Sequence, residues 1–171
     1  VLRGRDIEKW RYKWAGLWLI VMTKEIDIND LPAIKSHLEE YKSDLLKRSG
    51  EQEWYQLQAA PSKEKLNYLS KLKIGYSDIG LKFTIVPQEV IGLNTVYFIV
   101  PKSEELIKYL LGVLNSRVIG MYFKAIASGL SNNATRSFNI YIEQLPIPKV
   151  PSSQQKPIID LVDKILECTT G

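Results

Sequence analysis

Cysteine and histidine are almost missing: the 171 residues hold one of each, Cys168 and His37. A lone cysteine excludes an internal disulfide and suits a reducing compartment. One Cys with one His cannot supply the four ligands of a structural zinc site. No apolar run reaches about 18 residues, so nothing reads as a transmembrane helix, and no secretory signal pattern is present. The expected location is therefore the cytoplasm. None of the ten glycines lies two residues from another, which removes the G-x-G loop used for dinucleotides and S-adenosylmethionine. None of the eight prolines follows Asn or Asp, so there is no Asn/Asp-Pro-Pro tetrapeptide; a Walker loop and a Pro-Asp metal motif are missing too. The only Glu-x-Lys, Glu40-Tyr41-Lys42, lies in a helical pattern where residues i and i+2 point about 200° apart and cannot share an ion. His37 reads as a surface residue without a catalytic partner. Catalysis within this chain is not expected. The chain opens Val1-Leu2-Arg3, without methionine, and is expected to be a piece of a longer protein.

What is present suits a folded domain: 45% hydrophobic and 25% charged residues, enough for a real core. The net charge of +4 is modest, but it is unevenly distributed. Residues 1–14 and 61–83 are each rich in Lys and Arg, whereas 15–60 is acidic on balance. Between Glu105 and Glu143 there is no Asp or Glu, while Arg117, Lys124 and Arg136 fall in that interval. Converging on one surface, such blocks would form an electrostatic footprint for phosphates.

The apolar pattern predicts a helix over 30–48, where Leu31, Ile34, Leu38, Tyr41 and Leu45 make one stripe. Ser103 is expected to cap a central helix rich in Leu, and Asn115-Ser116 to break it before a third helix over 117–127. That third helix is expected to bury Val118, Ile119, Tyr122, Phe123 and Ile126. Ser152-x-x-Gln155 matches a capping box and opens an amphipathic helix carrying Ile158, Leu161, Val162, Ile165 and Leu166. Strands are expected at 15–22, 53–57, 72–76, 82–86 and 95–100, with a strand or extended segment at 138–142. The fold class is thus α/β, mixed α+β, with a mixed β-sheet and packed helices. Residues 1–150 form the main domain, and 151–171 a closing helix that packs on it or on a partner.

Several side chains have the chemistry of nucleic-acid binding. Arg3-Gly4-Arg5 sets two guanidinium groups about a flexible glycine, suited to clamping phosphate or reading guanine. From Lys9 to Trp14 cations alternate with aromatics, a pattern that neutralises a backbone and offers stacking faces. The alternative is that Trp10 and Trp14 simply pack inward. Lys63, Lys65, Lys71, Lys73 and Lys124 are expected to meet phosphate, which positions without specifying. The loop holding Ser131, Asn132, Asn133 and Arg136 offers the amides and guanidinium that read adenine and guanine. A different reading makes the chain a protein-interaction domain whose closing helix docks on another subunit.

Several segments, in order, resemble the TaqI-like C-terminal specificity domain of type IIG restriction–modification enzymes and adenine-specific DNA methyltransferases. They are Leu2-Arg3-Gly4-Arg5-Asp6-Ile7, the helix from Leu38 to Arg48, Trp54-Tyr55-Gln56-Leu57 and Lys73-Ile74-Gly75-Tyr76-Ser77-Asp78-Ile79. Leu110 to Ser116, Tyr122-Phe123-Lys124, Tyr141 to Pro148 and the closing helix follow. Gln56 and Ser77 depart from the Glu and Pro usual there. The resemblance implies a target-recognition module that holds double-stranded DNA beside an N-terminal methyltransferase domain. It implies no cofactor in this chain; S-adenosylmethionine, and magnesium where DNA is cut, would belong to the parent enzyme.

Overall fold

A computed structural model describes residues 1–127, 137 and 139–169. The chain divides into two compact units, one formed by Val1–Leu17 with Tyr68–Gly171, the other by Trp18–Asn67.

The first unit is built on a three-stranded antiparallel sheet in the order β2-β1-β3, with β1 at Lys73–Ser77, β2 at Phe83–Val86 and β3 at Val96–Ile99. The strands expected at 72–76, 82–86 and 95–100 are present, each starting one residue later. The sheet is antiparallel throughout rather than mixed, because β1 is the central strand and both neighbours run against it. Alternation along the strands sorts their side chains to two faces. Ile74, Tyr76 and Phe83 face a core shared with α4 (Glu105–Leu114), α5 (Arg117–Ile126), α6 (Asn139–Ile142) and α7 (Ser152–Thr169). Val86 and Val96 face the opposite way, onto Leu2 and Ile7 of the N-terminal segment. With both faces covered, β1 is buried along its whole length.

The N-terminal segment is fixed by backbone contacts. Leu2 donates to Ile91 O and accepts from Leu93 N, beside the connection that crosses from β2 to β3. Trp10 donates its N–H to Phe83 O from a left-handed backbone (φ 73°) and packs on the helical core. Of the two aromatic candidates, Trp10 therefore points inward, whereas Trp14 is exposed and donates to Leu17 O.

The helix α4 lies against β1, β2, α5 and α7, as its nearly all-round apolar surface requires. Gly112 permits the close approach of α7: a Cβ there would stand 2.7 Å from Ile158 Cγ2 and 2.9 Å from Val162 Cγ2. Ser116 caps α5 by accepting from Ile119 N. Tyr76 Oη donates to Asn139 Oδ1 at 2.6 Å, and burial pushes its hydroxyl up to about 12.

Several expectations need correction. Glu104 rather than Ser103 stands at the N-cap of α4, and it makes no side-chain capping bond. Residues 15–22 and 53–57 form no strand, and 139–142 is helical rather than extended. The 30–48 helix is two, α1 (Pro32–Glu39) and α2 (Lys42–Leu45), because Tyr41 leaves helical geometry at φ −105°, ψ 3°. Val118 and Tyr122 are exposed, as is Leu161 on α7. Ser152 is the first residue of α7 rather than its cap; Pro151 O accepts from Gln154 N and Gln155 N.

In the second unit, Met22 and Ile28 are buried, Leu57 N donates to Met22 O, and Arg48 binds the carbonyls of Leu45 and Trp54. The short helix α3 (Lys63–Leu69) contains the division between the units.

Candidate nucleic-acid interface

The acid-free stretch of sequence is organised by α5. Its buried side presents Ile119 and Phe123 to the core, which leaves Arg117 and Lys124 exposed. A groove of about 750 Å³ runs along this helix, lined among others by Lys9, Ile79, Asn115, Arg117, Met121 and Lys124. Among the described residues, three cations and no carboxylate line it. Lys9 reaches it from the N-terminal segment: its Nζ donates to Asn115 O at 3.1 Å, at the junction of α4 and α5. Among the described residues, neither Arg117 nor Lys124 takes part in an ion pair. A concave surface with converging positive charge and no acid concentrates field lines and attracts polyanions.

The remaining expected contacts lie in several places. Arg3 is held by Asp6, with Nη2 2.8 Å from Oδ1 and Nε 3.0 Å from Oδ2. Asp6 Oδ2 also accepts from Arg3 N. Hydrogen bonding to Arg3 keeps the Asp6 carboxyl below its ordinary value, and the same pair raises the guanidinium. Arg3 is thus engaged in shaping the turn at Gly4–Asp6 rather than standing free. Arg5, on the same turn, is exposed. Arg11 and Lys13 both pair with Glu8, which lowers that carboxyl. Lys71 is exposed, but neither it nor Arg3 or Arg5 lines the groove.

Lys73 corrects the expectation of a phosphate contact. It is fully buried, and its Nζ donates to Leu69 O at 2.7 Å and Pro87 O at 2.8 Å, with longer bonds to Lys71 O and Gln88 O. Its ammonium also lies 5.3 Å from the centre of the Phe98 ring. It ties the entry of β1 to the exit of β2, and desolvation pulls it down to about 8. Ser131, Asn132, Asn133 and Arg136 lie outside the described residues. Ser137, just beyond them, is buried, donating its N–H to Asp78 O and its hydroxyl to Gly80 O beside the groove.

Lys63 and Lys65 belong to the other unit. There a groove of about 610 Å³ mixes Lys24, Lys35 and Lys42 with Asp27, Glu39 and Glu53, a surface without single-sign charge. Sequence reasoning passed over Arg117 as a contact, although it stands directly after a capping serine in an acid-free run. Those two signals together would have placed it at the solvent-facing start of α5.

A mixed α+β unit with a cation-lined groove has the charge to attract an anionic polymer. The family comparison goes further, since the TaqI-like C-terminal specificity domain matches residues 1–147 of the 171. The chain belongs to that family, whose members serve DNA target recognition in restriction–modification enzymes and are not catalytic in themselves. No curated protein matches the chain. Among the described residues no helix is long and apolar enough to cross a membrane.

Proposed function

We propose that this chain reads a specific sequence in double-stranded DNA and holds it for a separate methyltransferase or nuclease domain of a type IIG-like enzyme in the cytoplasm. The groove of Lys9, Arg117 and Lys124 carries the reading. Cations that contact phosphate fix register and supply affinity, while base contacts supply discrimination. Bases are read by side chains on the surface around that groove, and the segment holding Ser131, Asn132, Asn133 and Arg136 has the matching chemistry.

The parent's reaction is an adenine methylation, for which S-adenosylmethionine supplies the methyl group when bound; magnesium serves where DNA is cut. The residues of this chain fit neither group. There is no G-x-G loop, and among the described residues no cluster of three or more His, Cys, Asp or Glu could hold a metal ion. No chemical step is assigned to this chain.

A docking role for the closing helix has less support, because Ile158 and Val162 of its apolar stripe lie against Gly112 of α4. Salt dependence separates the two readings. Selection from a randomised duplex library with the full-length protein should enrich one motif. K9A, R117A and K124A should each weaken binding to every duplex and flatten the slope of log K against log salt by about one per lost contact. Salt-independent binding, or unchanged slopes in all three variants, would remove the reading.

A further inference from the structure

The outward face of α5 is split by chemistry. At about 100° per residue, Lys124 and Arg117 share one margin, Met121 and Ala125 follow, and Val118 and Tyr122 form the other margin. Ile119 and Phe123 occupy the buried side. Val118 is 73% exposed, Met121 65% and Tyr122 41%. A single exposed apolar residue is ordinary, but three together on one ten-residue helix, beside two cations and a groove, mark a contact surface.

Resting on the DNA-recognition reading above, we propose that α5 lies in the DNA major groove, with Arg117 and Lys124 on phosphates and Val118 and Met121 against thymine 5-methyl groups. Charge favours this occupant over a protein. The interval from 106 to 142 has no acid, and a third cation, Lys9, lines the adjoining groove. A protein covering the apolar face would also have to pair or desolvate the cationic margin, whereas a duplex presents phosphates on both sides of the groove. Size agrees: the major groove is about 12 Å wide and admits one helix. The chemistry then selects the base. Val118 has no hydrogen-bonding group and Met121 only a weak sulfur acceptor, and the apolar feature that a base edge presents in this groove is the methyl of thymine. The target would therefore contain T·A pairs where α5 crosses it.

The test uses the full-length protein and the motif it enriches from a randomised library, with deoxyuridine replacing thymidine at each position in turn. Wild type should lose about fourfold in affinity for each contacted methyl removed, the factor carried by one buried methyl-sized group. V118S/M121S, changed only at exposed positions, should bind the thymidine and deoxyuridine duplexes equally. R117A/K124A should weaken both duplexes alike and retain the difference between them. Indifference of wild type to every deoxyuridine, or full discrimination by V118S/M121S, overturns the assignment of α5 while leaving the recognition reading in place. Discrimination retained by V118S/M121S together with loosened association between parts of the protein would mark the face as a protein contact, and also overturns it. A wild type that enriches no motif overturns both readings.

Discussion

Asn115 pairs with Phe83 as a neighbouring strand would. Its Oδ1 accepts from Phe83 N at 3.2 Å and its Nδ2 donates to Phe83 O at 2.9 Å, within the buried interior. The amide sits at the C-cap of α4, so one residue ends that helix, covers the open edge of β2 and positions the start of α5. Its own carbonyl accepts from Lys9. The geometry of the cationic groove thus depends on a residue that is itself neutral and buried. N115A should destabilise the fold by roughly 1–3 kcal/mol, because Phe83 N loses its partner inside the protein. N115D should cost more, since a carboxylate oxygen would replace the donor facing Phe83 O. Denaturant unfolding of the two variants measures both; a change in N115A below about 0.5 kcal/mol would mean that water replaces the amide.

Lys73 predicts a pH dependence. Burial lowers the amine from 10.5 to about 8 in the folded chain. Between those values the unfolded chain binds the proton and the folded chain does not. Stability contributed at this site therefore rises as pH climbs from about 8 towards 10.5, and is lowest where both states are protonated. Other groups titrate in this range, so the useful quantity is the difference between wild type and Lys73→Met. That difference should shift in favour of wild type as pH increases from 7.5 to 9.5. A difference independent of pH would show that the folded amine keeps its ordinary affinity for protons.

The parts of this fold that could be read from sequence are those set by local signals. The helices α4, α5 and α7 declare themselves through dense apolar periodicity, Ser116 through its capping chemistry, and the three strands through Gly, Pro and Asn punctuation. Residues 15–22 have a strand's composition but form no strand, since strand pairing is a long-range event that composition does not encode. Lys73 misleads for the opposite reason. Lysine is almost never fully buried, and its four carbonyl partners come from two segments brought together only by the β1–β2 pairing. On α5, apolar residue type suggested burial for Val118, whereas the helix turns it outward with the cations. The groove was legible as an acid-free run; its membership, with Lys9 joining from more than a hundred residues away, was not.

Gly112 sets the spacing of α4 and α7. A methyl group there would stand inside contact distance of both Ile158 and Val162, and the ion pair of Lys108 with Asp163 spans the same two helices. G112A should cost about 1–3 kcal/mol as the helices part to relieve the overlap. G112A/I158A should recover much of that loss by making room, a coupling that unrelated sites would not show. Simple additivity of the two substitutions in thermal or denaturant unfolding would place the close approach elsewhere.

Arg3 and Arg5 stand two residues apart and should behave as opposites. Arg3 is held by the buried Asp6, whose carboxyl it keeps low, so the pair stabilises the turn above the ordinary carboxylate range and loses that contribution as pH falls through the depressed value. R3A leaves the Asp6 charge uncompensated and should lower stability at pH 7, with D6N removing most of the difference between pH 7 and pH 3. Arg5 is exposed. R5A should leave unfolding within about 0.5 kcal/mol of wild type, yet flatten the salt slope of DNA binding by about one if Arg5 meets a phosphate. The two measurements together assign each arginine: a stability loss in R5A, or a flattened slope with wild-type stability in R3A, would reverse their roles.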